Sequence, residues 1–161
     1  MLLLLVGEAG VAAAQGLPKG TKPLSAVEMY MIYRDKTWLW KNGAGRFFSE
    51  GRKFLAWTSD DEGQAVADGR YVLTNDGRMC IVAVWTGETY SKLVKTCFLH
   101  RKDRGTIYQK REDAGGWHLF RSFEPAETDE AKKLIESDEV SRRTAEITEA
   151  LKSRKPAKGE R

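Results

Sequence analysis

Four residues stand out for their chemistry: the two cysteines, Cys80 and Cys97, and the two histidines, His100 and His118. A cysteine pair either forms a disulfide or, with histidine, holds a metal. Here Cys97-Phe98-Leu99-His100 is a single Cys-x-x-His with no second half, so a structural zinc pattern is incomplete and the expectation is a disulfide, with no metal and no cofactor. His100 is the one candidate acid-base group, a role that needs a nearby carboxylate, and a hydrogen-bonded structural histidine is the competing reading. Asp60, Asp61 and Glu62 are adjacent and read as a solvated turn. Gly43-Ala44-Gly45 lacks the strand-to-helix setting and the Lys-Ser/Thr of a phosphate loop. No catalytic residue is assigned.

The cysteines must be positioned by a hairpin. Pairing Cys80 with Cys97 directly across two strands centres the turn between Glu88 and Thr89, within Thr86-Gly87-Glu88-Thr89-Tyr90-Ser91, the most turn-like stretch nearby. Alternation then puts Met79, Ile81, Ala83, Trp85, Val94, Thr96, Phe98 and His100 on one face, the expected core. Arg78, Cys80, Val82 and Lys95 fall on the other. All five Trp, five Tyr and six Phe lie between Tyr30 and Phe123, so the core belongs to that block. Within it, glycine-bearing turns separate short strands at Thr37–Lys41, Arg46–Ser49, Arg52–Thr58, Gln64–Ala67, Arg70–Thr74, Met79–Trp85, Leu93–His100, Thr106–Lys110 and Trp117–Phe123. Connections this short exclude crossover helices. The expected fold is mainly β (α+β), an antiparallel meander closing into a small lipocalin-like barrel or a sandwich.

Domain organisation follows from composition. Residues 1–14 read as a signal peptide, with apolar Leu2–Val6 and small Ala12, Ala13 and Ala14 before Gln15, although no Lys or Arg precedes the leucines and Glu8 interrupts the run. The apolar run is too short to span a membrane. A linker is expected over 15–24 and the β domain over 25–123, opened by a short helix from Ser25 to Arg34 with Ser25 and Glu28 as a capping box. Glycine-free, charged residues 124–153 read as one helix with a thin stripe of Val140, Thr144, Ile147 and Leu151, implying solvent or a partner. Basic residues 154–161 read as a disordered tail.

An exported chain meets an oxidising compartment, in agreement with the disulfide, and is expected in the periplasm or outside a Gram-negative cell. Residues 15–123 carry 18 Lys or Arg against 12 Asp or Glu, a net of +6. A basic exported domain suits anionic polysaccharide, peptidoglycan or lipid headgroups, not nucleic acid, with scattered solubilising charge as the alternative. Trp38 and Trp40 share a strand face. They are either core or, in an open barrel, the lining of a pocket with Lys36, Lys41 and Arg46 at its mouth. His100 and Arg101 complete the candidate ligand-binding set.

The segment Tyr33-Arg34-Asp35-Lys36-Thr37-Trp38-Leu39-Trp40-Lys41-Asn42-Gly43-Ala44-Gly45-Arg46-Phe47-Phe48 is the longest of several ordered motifs. The others are Gly69-Arg70-Tyr71, Gly77-Arg78-Met79-Cys80, Cys97-Phe98-Leu99-His100-Arg101, Ile107-Tyr108-Gln109-Lys110 and Gly116-Trp117-His118-Leu119-Phe120. Together they resemble the bacterial family catalogued as domain of unknown function 995, over roughly Ser25 to Phe123. The resemblance implies a small exported envelope protein and transfers no catalytic residue. The extension after Pro125 reads as an addition to the family core. The expected function is a non-enzymatic binding or structural module of the envelope, supporting surface-polysaccharide or envelope homeostasis. The alternatives are a periplasmic enzyme using His100 and a protein-interaction partner or inhibitor acting through the C-terminal helix.

Overall fold

The computed structural model describes residues 16–154. A two-residue strand β1 (Lys22–Pro23) and helix α1 (Ala26–Tyr33) precede eight strands: β2 (Lys36–Trp40), β3 (Gly43–Phe47), β4 (Lys53–Asp60), β5 (Gly63–Leu73), β6 (Arg78–Thr86), β7 (Ser91–Asp103), β8 (Thr106–Arg111) and β9 (His118–Arg121). A 3-10 turn at Glu130–Lys133, strand β10 (Leu134–Ile135) and helix α2 (Ser141–Arg154) complete the described chain. Turns of this length allow each strand to pair only with its predecessor, and β2 to β9 form one antiparallel meander. Strand β10 returns to add itself outside β2, and β1 pairs with the end of β7. The mainly antiparallel sheet is a curled half-barrel, open between β9 and β10, where the 3-10 turn packs against β9 and β2.

The hairpin register is the expected one at every position from Arg78↔Leu99 to Thr86↔Ser91, with Cys80 opposite Cys97. Their Cα atoms are 4.1 Å apart and the sulfurs are bonded. This close approach is typical of the non-hydrogen-bonded pairs of an antiparallel ladder. Met79, Ile81, Ala83 and Phe98 face the core cluster, and the disulfide lies on the opposite face of the sheet.

Helix α1 plugs the concave side. Ser25 accepts from the Glu28 amide, the Glu28 carboxylate accepts from the Ser25 amide, and the predicted capping box is complete. Met29 and Tyr33, one turn apart, are fully buried. Tyr33 packs at 5.0 Å between ring centroids on Phe47, which meets Phe54 at 5.0 Å and Tyr71 at 5.3 Å.

Four departures from the sequence reading have local causes. First, β5 is continuous, because Gly69 is not a turn. A Cβ there would stand 2.1 Å from the Val82 carbonyl oxygen and 2.4 Å from the Ala83 Cα, so this glycine admits close strand approach. Second, residues 15–24 are not a linker: Leu24 is buried and β1 is tied into the sheet, although Gln15 lies outside the described residues. Third, the helix predicted over 124–153 starts only at Ser141. The Asp129 carboxylate captures the amides of Ser122 and Ala126, and Asp138 captures those of Val140 and Ser141, so side chains compete for the backbone until the second of them serves as a helix cap. Fourth, the stripe Val140, Thr144, Ile147 and Leu151 is buried rather than solvated, with α2 packed on the convex side of β4 and β5. The signal-peptide reading of 1–14 lies outside the described residues. So does the tail reading beyond Arg154, itself the last residue of α2.

Two stability outcomes follow. A Cys80→Ser, Cys97→Ser chain keeps the sheet by circular dichroism and loses on the order of 3 kcal/mol in urea unfolding, for a loop with a sequence separation of 17. Ile147→Ala costs roughly 2 to 4 kcal/mol, the range for a large-to-small core change, whereas a helix lying free in solvent would lose almost nothing.

Candidate functional site

His100 is positioned by β7 and by the turn before β6. Gly77 adopts φ +83° in that turn, and a Cβ there would lie 2.3 Å from the His100 carbonyl oxygen. Glycine therefore lets the turn close on β7, with the His100 amide donating to the Gly77 carbonyl at 2.7 Å. The His100 side chain is fully buried. Its Nδ1 is 3.2 Å from that same carbonyl, which accepts only if Nδ1 carries the proton. Nε2 is then the acceptor for the Tyr33 hydroxyl at 2.7 Å, and Gln109 donates to the Tyr33 oxygen at 2.9 Å. Gln109 is the direct cross-strand neighbour of His100. Burial lowers the imidazole to about 4 and pushes the Tyr33 phenol far above its ordinary value. Both ring nitrogens are occupied by neutral partners, none of them a carboxylate, so the arrangement orders the core and does not assemble an acid-base pair.

The other candidate residues separate. Cys80 and Cys97 consume each other's sulfur, and His100 points to the opposite side of β7, so no metal set converges on them. Trp38 is a core neighbour, 5.1 Å from Phe98 between centroids, with its Nε1 donating to Glu130 at 3.4 Å. Trp40 lies across Gly43 and Gly45, where a Cβ would be 2.4 Å and 3.2 Å from its ring, and so fills the concave side of β3. Arg46 is on the convex side, away from both tryptophans. Its Nη1 donates to Thr37 Oγ1 and to the carbonyls of Glu136 and Ser137, at 3.1 to 3.3 Å. Lys36 pairs with Glu136, Lys41 is exposed at the β2 turn, and Arg101 holds the N-terminal segment through the hydroxyl and carbonyl of Thr21. The residues expected at a pocket mouth, Lys36, Lys41 and Arg46, therefore do not converge on a pocket: Lys36 and Arg46 hold the segment around Glu136 and Ser137, as Arg101 holds Thr21.

An open groove of about 750 Å3 lies elsewhere, between α1 and the returning segment around residues 125–134. Leu24, Val27, Met31, Ile107, Phe120 and Leu134 give it an apolar floor and sides. Lys36, Lys102, Arg104, Arg121 and Lys132 surround it, against Glu28 and Asp129. Glu28 pairs with Lys102, which together with the Ser25 amide holds its carboxyl down at about 2. Asp129 spends both oxygens on Ser122 and Ala126, whose amides and hydroxyl hold it below the usual carboxylate range. Arg121 forms no ion pair among the described residues, and Arg104, almost fully exposed, has only its neighbour Asp103 at 3.5 Å. Of the sequence candidates, only Lys36 lines this groove. A signal was present in α1, whose residues Ala-Val-Glu-Met-Tyr-Met-Ile-Tyr are apolar on more than one face. Met29 and Tyr33 supply the core, while Val27 and Met31, also one turn apart, remain for a second contact.

Acid titration reads out the His100 environment. Above pH 6.5 both folded and unfolded chains carry it neutral. Between 6.5 and about 4 the unfolded chain takes up a proton that the folded chain refuses, so stability falls with falling pH. The expected loss from this residue is on the order of 3 kcal/mol by pH 4. In urea titrations at fixed pH, His100→Gln lowers stability at pH 7 but shows a shallower decline toward pH 4. Parallel slopes in the two proteins would contradict this account.

The motifs seen in the sequence are matched by comparison with known families. The model described as "Protein of unknown function (DUF995)" matches residues 2–140. No curated protein and no solved structure matches the chain. The match runs past Phe123 through the 3-10 turn, β10 and the Asp138 cap. The segment shaping one wall of the groove is thus part of the family region, not an addition, and among the described residues only α2 lies beyond it. With most of its length covered, the chain belongs to the DUF995 family.

Proposed function

We propose that the chain is a non-enzymatic binding module of the bacterial cell envelope, exported to the periplasm or beyond, and that the groove beside α1 is its binding site for an anionic envelope component. The observation that carries this reading is the groove itself, an open apolar trough bordered by five cations, of which Arg121 forms no ion pair among the described residues and Arg104 has only its sequence neighbour Asp103. The Cys80–Cys97 disulfide favours an oxidising compartment, and the apolar run followed by small residues before Gln15 favours export. No helix among the described residues is long and apolar enough to cross a membrane. An enzymatic role for His100 has less support, because its ring is enclosed by Tyr33, Gln109 and Gly77. A partner-binding role for α2 also has less support, because its apolar stripe is already spent on β4 and β5.

Calorimetric titration of the purified protein against acidic polysaccharide, peptidoglycan fragments and anionic lipid tests the reading. Saturable binding to one of them is expected, weakened by salt and weakened several-fold by the Arg104→Gln, Arg121→Gln double substitution. Absence of saturable binding to all three would remove the proposal.

A further inference from the structure

We infer that the groove takes one molecule of a single-chain anionic amphiphile, with its alkyl chain against α1 and its headgroup at Arg104 and Arg121. This rests on the groove being the binding site and names the ligand class it selects. The argument starts from α1. Helix α1 carries one charged residue, Glu28, and is apolar on more than one face, whereas a helix packed on one core needs a single apolar stripe. Met29 and Tyr33 are fully buried, whereas Val27 is 70% and Met31 56% exposed. Both line the groove opposite Ile107, Phe120 and Leu134. That channel offers a flexible chain apolar contact along its length.

A sugar ring would need a different lining. Saccharide sites present exposed aromatic faces and amide or hydroxyl groups, but Phe120, the one aromatic lining residue, is fully buried. No Asn, Gln, Ser, Thr or Trp contributes to the lining. The charged groups, in contrast, are unevenly paired. Lys102, Lys36 and Lys132 are each balanced by a carboxylate, from Glu28, Glu136 and Glu127. Arg121 has no such partner among the described residues, and Arg104, almost fully exposed, has only its sequence neighbour Asp103 at 3.5 Å, so both guanidinium groups present donors suited to the oxygens of a phosphate, sulfate or carboxylate. An apolar trough ending in two such guanidinium groups complements a chain with an anionic end. A volume near 750 Å3 falls in the range of sites for small ligands.

The test is calorimetric titration of the full chain with alkyl phosphates from octyl to tetradecyl, each below its micelle-forming concentration, beside a neutral monoglyceride, an acidic oligosaccharide and anionic vesicles. One site per chain is expected. The dissociation constant should fall by up to about fourfold per added CH2 until the chain outgrows the groove. The neutral amphiphile should bind about tenfold more weakly. Val27→Glu and Met31→Glu alter exposed positions, so their unfolding curves should match the parent while alkyl phosphate binding is lost. Arg104→Gln, Arg121→Gln should retain the chain-length dependence at reduced affinity. Affinity independent of chain length, or unchanged by Val27→Glu and Met31→Glu, would overturn the inference. Binding only to vesicles would also overturn it, since that is a surface rather than a groove. Oligosaccharide binding that is sensitive to the arginine substitutions, with none to alkyl phosphates, would overturn it while leaving the binding-module reading intact. Silence with every probe would overturn it, and silence with peptidoglycan fragments as well would overturn both.

Discussion

The hydrogen bond between Tyr33 and His100 fixes how α1 sits in the half-barrel, and much else depends on it. Both groups are enclosed and share Gln109 as a third member. Leaving any one of them unpaired in that environment would cost about 1 to 3 kcal/mol. Satisfying all three at once gives a short helix, weak in isolation, a defined orientation. That orientation turns Met29 and Tyr33 inward and so turns Val27 and Met31 outward, to the groove. The polar core and the exposed apolar trough are two consequences of one placement.

The other wall depends on the chain's return to its first strand. Trp38 pairs with Leu134 and Thr37 with Ile135, which covers the edge β2 would otherwise expose. Arg46 and Thr37 then hold the following carbonyls, and the Trp57 indole donates to Glu139 at 3.0 Å. Residues far apart in sequence thereby bring Lys132 and Leu134 opposite α1. The basic side chains around the trough come from β2, β7, β9 and the turns beside them, so their concentration at one end of the fold is a product of sheet curvature, not of local sequence. Glu28 is paired with Lys102, and Asp129 keeps its charge with both oxygens engaged by Ser122 and Ala126, so Arg121 is the lining cation that forms no ion pair among the described residues.

The disulfide hairpin shows how far sequence alone can reach. Two cysteines, one turn-like stretch and strict alternation define a register without reference to any other strand, because pairing across a hairpin is local and a side chain's face depends only on parity. The capping box at Ser25 and Glu28 is legible for the same reason, with every participant lying within one turn of helix. The 124–153 helix reading failed where local chemistry had two solutions. Composition favoured helix, but Asp129 and Asp138 bind backbone amides that a continuous helix would need. Gly69 failed differently: a glycine is equally suited to a turn or to close packing, and only the neighbouring strand discriminates between them.

From its own order of residues the chain determines the meander, the hairpin register, the pairing of its cysteines and the placement of an aromatic core, because each rests on neighbours in sequence or on alternation along a strand. Tertiary structure alone decided that Trp38 and Trp40 pack against the core, that Arg101 holds Thr21 while Arg46 holds the carbonyls of Glu136 and Ser137, and that His100 is enclosed by Tyr33, Gln109 and Gly77. It also decided where a groove remains. A trough is the space left between elements whose relative placement is set by long-range packing, and no local pattern records a space. The hint in the sequence was a helix with more apolar surface than one core can cover, and only the fold shows what that surplus faces.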